Sequence, residues 1–415
     1  PRFDCTRARN RDASRSPRGV RLRRFVFLLL IVAVGWSLAH PAQAQIYVQE
    51  GASGTGSLAS PYGSLQDALS DLSSPEIRVA EGTYFATAGT DETVSFVLPD
   101  GVQILGGWSP DFATRDPDIY ETILSGDIDG DGTPTGNTFQ ILRVDAPVSS
   151  LTLVEGVTVE GGNAGDVDGN QNGGGGLIVN AGTPVFRDIT FRNNAATLGG
   201  GAVLCDASAP TFEDVAFEQN GGGALVAGAL LAVDCAVNVT GSSFSGNTAQ
   251  SGAAVYSLSG QVTLSGVTFT QNAATVGGGA IYNDSGTVTV TGGVFDRNTA
   301  AGFLGGGAIY DVGGTGRIGN AVFAGNETST GPGGAVAVGS AGAYDMYNAA
   351  FTGNAASSAD GGAVFLSGAT LDAVHITTTG HSALEGQVLF ADETSTATLE
   401  NVILWNEPPS VTAGP

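Results

Sequence analysis

Short runs of alternating apolar and polar residues recur along most of the chain. Thr287-Val-Thr-Val-Thr291 alternates strictly and puts Val288 and Val290 on one face. That period of two is a half-buried strand. Glycine and Asn-Asp-Ser-Gly clusters bound such runs, as at Asn283–Gly286 and Gly292-Gly293, and read as turns. A fixed unit repeats above this alternation. Phe191-Arg-Asn-Asn194 is followed by Gly199-Gly-Gly-Ala202 and an apolar run. The same phenylalanine returns at Phe217, Phe244, Phe269, Phe295, Phe323 and Phe351, at spacings of 26, 27, 25, 26, 28 and 28 residues. Each is followed three residues later by asparagine: Asn194, Asn220, Asn247, Asn272, Asn298, Asn326 and Asn354.

Three short strands per ~26 residues, with no helical period, cannot close a core alone. Stacked rungs can, because each covers the inward residues of its neighbours. The pattern predicts an all-β fold: a single-stranded right-handed parallel β-helix, with successive rungs paired as parallel strands about 4.8 Å apart. Nine or ten rungs are expected, giving a rod of about 45 Å at that spacing. The phenylalanines form an internal stack. The column Ala202, Ala229, Ala254, Ala280, Ala308, Ala335 and Ala363 marks a sharp backbone turn without room for bulk. The asparagines place an amide in each turn, able to bond the next rung and to tolerate left-handed geometry. Both ladders read as structural. The glycine strings recur in every rung and open no helix, so they are not phosphate loops.

One helix is expected, near the start. Ser64 with Asp67 makes a capping-box-like beginning, and Leu65, Ala68, Leu69 and Leu72 form one apolar face. A helix with one apolar face suits the open end of a solenoid, which otherwise exposes a sheet edge. Residues 45–125 then read as this N-terminal cap with irregular first rungs, and residues 126–415 as the regular rungs. The segment from Pro61-Tyr-Gly-Ser64 to Val79-Ala-Glu-Gly-Thr-Tyr84 resembles the start of secreted pectate-lyase-like β-helix proteins. The Phe-x-x-Asn and Gly-Gly-Ala-apolar units, from about Val157 to Asn406, resemble the repeats of polymorphic outer-membrane proteins and of bacterial secreted β-helix proteins. The resemblance implies the fold and display outside the cell, not a particular chemistry.

Residues 1–44 are different in kind. They hold nine of the 16 basic residues, an apolar run from Phe25 to Leu38 and the small-x-small Ala42-Gln-Ala44. This is the pattern of a secretory signal peptide cleaved after Ala44. Translation is expected to start near Val20, with residues 1–19 an overrun. At the other end Ile376-Thr-Thr-Thr379 replaces Phe-x-x-Asn, and Ile403-Leu-Trp-Asn406 begins another rung. A further sorting or anchoring segment is expected beyond Pro415. No membrane-spanning segment is expected in the mature chain.

Charge narrows the partners. From Gln45 onward seven arginines face 38 acids, a formal charge of −31, and lysine is absent. Nucleic acid and anionic lipid are poor partners for such a surface. High salt, which screens self-repulsion, suits it. Cys205 and Cys235 fall in adjacent rungs, three positions apart in register, which makes a disulfide geometrically borderline though compatible with secretion.

Candidate chemistry is sparse. Asp127-Ile-Asp129-Gly-Asp131-Gly132 matches the first half of a calcium loop, in which alternate carboxylates converge on one ion. It departs at the twelfth position, Thr138, where a bidentate glutamate is expected. A second acidic insertion, with Asp166, Asp168 and Asn170, follows about one and a half periods later and is a candidate for the same edge. Calcium is the one cofactor the sequence suggests. Asp188 and Asp214 share a column, as do Arg187 and Glu213, and Arg192 and Glu218. These read as cross-rung ion pairs in preference to a hydrolytic carboxylate pair. His375 and His381 are isolated and read as surface residues. The Asn-Thr-Asp, Gly-His-Gly and Arg-Ile-Lys signatures of β-helix hydrolases of the polygalacturonase type do not occur. The leading expectation is a secreted or surface-displayed, non-enzymatic rod that contacts a polysaccharide or a host or neighbouring cell surface. A polysaccharide lyase or glycoside hydrolase is the alternative, and a structural spacer the third.

Overall fold

The computed structural model describes residues 45–71, 73–165, 173–221, 223–405 and 411–413. The leader, Leu72, Asp166, Asp168, Asn170 and the segment beginning at Asn406 lie outside them. The described residues fall within one compact unit. They form a parallel β-solenoid of about 13 turns, more than the nine or ten expected. The extra turns are the irregular early ones, where the Phe-x-x-Asn signal is missing but strands still pair. Glu76–Ala80 pairs with Gln103–Trp108, which pairs with Leu153–Glu160, all in parallel.

The largest sheet has 23 strands and a second has 12; two small sheets have five and two strands. The large sheet bends along one line in each rung. Residues with φ between about +50° and +72° occupy it: Gly156, Asp188, Asp214, Gly241, Gly266, Gly292, Asn320, Asn348, His375 and Asn401. Left-handed backbone is favoured by Gly and tolerated by Asn and Asp. The line is therefore written mostly in those three residue types.

The expected helix is present at Leu65–Ser70. Ser64 Oγ accepts from the N–H groups of Gln66 and Asp67, and Leu65, Ala68 and Leu69 are buried. The helix packs against the strands Gln45–Val48 and Phe96–Val97, the first strands of the two large sheets. Among the described residues no helix is long and apolar enough to cross a membrane.

The phenylalanine column is an internal stack. From Phe191 to Phe351 the ring centroids are 4.4–5.4 Å apart, and no pair of planes deviates by more than 9°. Each offset-stacked pair adds about 0.5–1.5 kcal/mol beyond its area burial. The asparagines are buried and form a continuous hydrogen-bond chain. The backbone N–H and Nδ2 of each donate to Oδ1 of the asparagine in the next rung, at 2.9–3.2 Å, from Asn194 through Asn326. Nδ2 also donates back to a carbonyl, such as Phe244 O from Asn272. The left-handed residue of this turn is the one before the asparagine, for example Asn193, Gln219 or Gln271, and not the asparagine itself. The amide is there to bond, not to relax the backbone.

Three sequence expectations need correction. His381 is 6% exposed, not a surface residue. Its Nδ1 accepts from the Asn354 N–H at 3.1 Å, so it terminates the asparagine chain. The register explains why: Phe351 pairs with Thr378, so Thr378 and His381, not Ile376 and Thr379, take the places of Phe and Asn. Cys205 and Cys235 are bonded, with Cα atoms 6.3 Å apart, inside the core. The three-position offset is absorbed near a corner: Cys205 is the penultimate residue of the strand Val203–Asp206, and Cys235 follows the left-handed Asp234.

Candidate ligand-contact and cation sites

Three surface regions carry chemistry. The first is the Asp127 loop, which runs from the strand Thr122–Ser125 towards the strand Leu142–Val144. Both of its ends meet at Gly126, whose carbonyl accepts from Ile128 and Thr138 and whose N–H donates to Glu160 O. Asp127 Oδ2 accepts from Gly132 N–H at 3.2 Å, which folds the loop back on itself. Asp129, Asp131 and Asp127 each place a carboxylate oxygen within 4.8 Å of the others. The sequence motif is thus one cluster in space. A cavity of about 340 Å³ adjoins it, lined by Asp127, Gly132, Thr133, Asn137 and Glu160 among others. The second acidic insertion cannot be placed beside it, since Asp166, Asp168 and Asn170 lie outside the described residues.

The second region is an acidic cleft of about 70 Å³ at the bend of the large sheet, lined by Asp118, Glu121, Thr158, Asp188 and Thr190 with neighbouring backbone. Partial burial raises the Asp188 carboxyl above its ordinary range, and the charge of Asp118 adds to the effect. Arginines and glutamates network around the cleft. Glu155 bridges Arg115 at 2.6 Å and Arg187 at 3.1 Å; Arg187 also holds Glu213 at 2.7 Å. The expected Arg187–Glu213 pair therefore exists. Arg192 and Glu218 are register partners, but Arg192 turns instead to Glu160 at 2.5 Å and Glu121 at 3.0 Å. Glu160 and Glu121 lie on the preceding turns, whereas Glu218 points to solvent. Six of the seven arginines after residue 44 sit in such ion pairs. The seventh, Arg317, lies over the Tyr347 ring, 5.3 Å from its centroid.

The third region was not singled out from sequence. On the outer face of the 12-stranded sheet, register aligns Tyr256, Tyr282, Tyr310, Ala337, Phe365 and Phe390. The five rings are all half-buried. Tyr256 and Tyr282 stack at 4.8 Å, and Phe365 and Phe390 at 5.4 Å. Tyr310 departs from the stack, tilted by 48° from Tyr282. The reason is the next rung, where Ala337 leaves a gap. The Tyr310 hydroxyl reaches to 3.7 Å from the point where a side chain on Gly339 would begin. The ring thus leans across Ala337, which is buried although it faces outward. Tyr256 donates to Asp284 Oδ2 at 3.1 Å. Burial, with Tyr310 and Asp284 nearby, pushes the Tyr282 hydroxyl up to about 12. The signal in the sequence was an aromatic residue two positions after the conserved-spacing alanine, as in Ala254-Val-Tyr256, Ala280-Ile-Tyr282 and Ala308-Ile-Tyr310.

A fourth polar cluster is sealed inside the solenoid. Asp311 is fully buried; it accepts from Asn283 Nδ2, Tyr344 Oη at 3.2 Å and Gly314 N–H at 3.0 Å. Burial raises its carboxyl above the ordinary range. Gly316 has no side chain because the Tyr344 ring occupies that space. With no route to solvent this cluster is structural.

Residues 148–295 match the protein family described as right handed beta helix region. No curated protein matches the chain. Among solved structures, endo-xylogalacturonan hydrolase from Aspergillus tubingensis aligns over 89% of this chain and 99% of its own, at 11% identity and a TM-score of 0.34. Tailspike protein 3 of bacteriophage CBA120 aligns over 81% of this chain and 56% of its own, at 12% identity and a TM-score of 0.28. This chain therefore spans little more than half of the tailspike chain. The family match over residues 148–295 and the rung geometry agree on one fold, a parallel β-solenoid consistent with a right-handed β-helix.

Proposed function

We propose that the chain is a secreted or surface-displayed β-helix that binds a neutral or weakly charged glycan along the outer face of its 12-stranded sheet. The observation that carries this reading is the aromatic row from Tyr256 to Phe390, and above all the tilted Tyr310. Rings in regular stacks offer only their edges, because each face is covered by a neighbour. Tyr310, leaning across Ala337, offers a face. The C–H face of a pyranose packs on such a ring, and Asp284 beside the row accepts from sugar hydroxyls. A flat strip on a rigid sheet suits an extended chain ligand, since little ordering is needed on binding. The net charge disfavours polyuronates and other polyanions.

The test is binding of purified chain to a panel of neutral and acidic polysaccharides by affinity electrophoresis and calorimetry. Tyr310→Ala should weaken binding of a neutral glycan by at least tenfold, and Phe365→Ala by less. Equal binding by wild type and Tyr310→Ala would remove the row from the site. Preferential binding of polyanions would overturn the reading.

The Asp188 cleft favours a second reading, hydrolysis of a glycosidic bond. A carboxyl raised above its ordinary range by burial, beside other carboxylates, is shifted in the direction a general acid needs. New reducing ends released by wild type and not by Asp188→Asn would establish it. Binding without turnover would leave the first reading.

A further inference from the structure

We propose that the Asp127 loop is a calcium site. It is independent of the glycan strip, which lies on another face. Convergence of three carboxylates is not enough by itself, because acidic clusters are common on so acidic a chain. The second observation is Asn137. It is 5% exposed, and its Nδ2 donates to Gly161 O at 2.6 Å, which fixes the orientation of the amide. Its Oδ1 is buried with no partner. Asn137 lines the same cavity as Asp127, whose Oδ1 is likewise buried and unpartnered. Buried polar atoms are normally satisfied, so two oxygen acceptors left open beside an acidic cluster call for a donor or a cation.

The donor set is all oxygen: carboxylates from Asp127, Asp129 and Asp131, and the Asn137 amide. Hard oxygen donors suit calcium, which takes six to eight oxygens, and disfavour zinc or copper. The glutamate missing at Thr138 has a spatial neighbour in Glu160, which lines the cavity from the next turn while its Oε2 is held by Arg192. The loop is already anchored at Gly126 and, through Asn163 Nδ2 to Pro134 O, to the next turn. An ion bound here would pin the early, irregular turns to the regular ones.

The test is calorimetric titration of calcium chloride into the full chain after chelator treatment, with thermal unfolding in parallel. Saturation at one ion per chain is expected. At a hundredfold excess over Kd the melting temperature should rise by about 3 °C. Asp129→Asn and Asp131→Asn, both on exposed loop positions, should each weaken binding at least tenfold without lowering the calcium-free melting temperature. Asp372→Asn, an exposed acid on a distant turn, should leave binding unchanged. No saturable heat up to about 10 mM calcium, well above the weakest loop-type affinities, would overturn the proposal. So would equal weakening by Asp372→Asn, which would mark general charge attraction, or an equal response to magnesium.

Discussion

Replacing Asn272 by alanine tests how the solenoid is held together. Asn272 sits mid-ladder and is fully buried. Its Oδ1 accepts from the Asn247 N–H at 3.1 Å and from Asn247 Nδ2 at 2.9 Å. Its Nδ2 donates to Phe244 O at 3.0 Å and to Asn298 Oδ1 at 2.9 Å. The alanine variant removes all four contacts and leaves the Asn247 N–H without an acceptor. Asn247 Nδ2 keeps Phe217 O, and the residue 272 N–H keeps Asn298 Oδ1. One fully orphaned buried donor, with Asn247 Nδ2, Phe244 O and Asn298 Oδ1 each losing one partner, at about 1–3 kcal/mol for a full loss, gives a destabilisation of about 3–5 kcal/mol. Aspartate should be worse, because a buried carboxylate would face Phe244 O and Asn298 Oδ1. Repeat arrays depart from two-state unfolding, so guanidinium denaturation should be joined by amide exchange. The residue 247 amide should exchange more than a hundredfold faster in the variant, as about 3 kcal/mol requires. A change under about 1 kcal/mol, with the residue 247 amide still protected, would refute the view that the ladder is a main source of cohesion between rungs.

Other outcomes follow from the same geometry. At the end of the ladder, His381→Asn keeps an acceptor for the Asn354 N–H and should unfold near the wild-type temperature, whereas His381→Ala should lose about 1–2 kcal/mol in thermal melts. Cys205→Ala/Cys235→Ala removes a cross-link spanning 30 residues; loop-entropy arithmetic gives a loss of about 3.6 kcal/mol, to be read from denaturant midpoints. Asp311 binds its proton more tightly folded than unfolded, because burial raises its carboxyl. Its contribution is therefore most favourable below about pH 4 and is lost as pH rises through the raised value. The stability of Asp311→Asn relative to wild type should accordingly improve from pH 4 to pH 7, and a flat difference would contradict this. Raising sodium chloride from about 0.1 to 1 M shortens the screening length from about 10 to 3 Å. Self-repulsion should weaken and the melting temperature should rise, most of all in wild type and least in a variant with exposed acids neutralised.

The repeat made the fold legible because a solenoid is nearly one-dimensional. Each rung contacts only its neighbours, so a 25–28-residue period in Phe and Asn is also a spatial period. The capping helix, the Asp127–Asp131 cluster and the residue each rung contributes to the inward stacks are each set within one rung or loop, and local sequence was enough for them. What the sequence left open depended on register between rungs. The period varies, so spacing alone puts Ile376 and Thr379 where Thr378 and His381 belong, and only strand pairing places His381 at the foot of the asparagine chain. Whether Cys205 and Cys235 meet depended on how a corner absorbs a three-residue offset. Tyr256, Tyr282 and Tyr310 are separated by 26 and 28 residues and become a surface only when stacked. Asp188 becomes part of a cleft only because the loop carrying Asp118 folds across the bend. The repeat thus determines the architecture through short-range periodicity, whereas the tertiary structure decides the aromatic strip, the Asp188 cleft and the end of the asparagine chain, because these are assembled from different rungs whose relative register no single rung encodes.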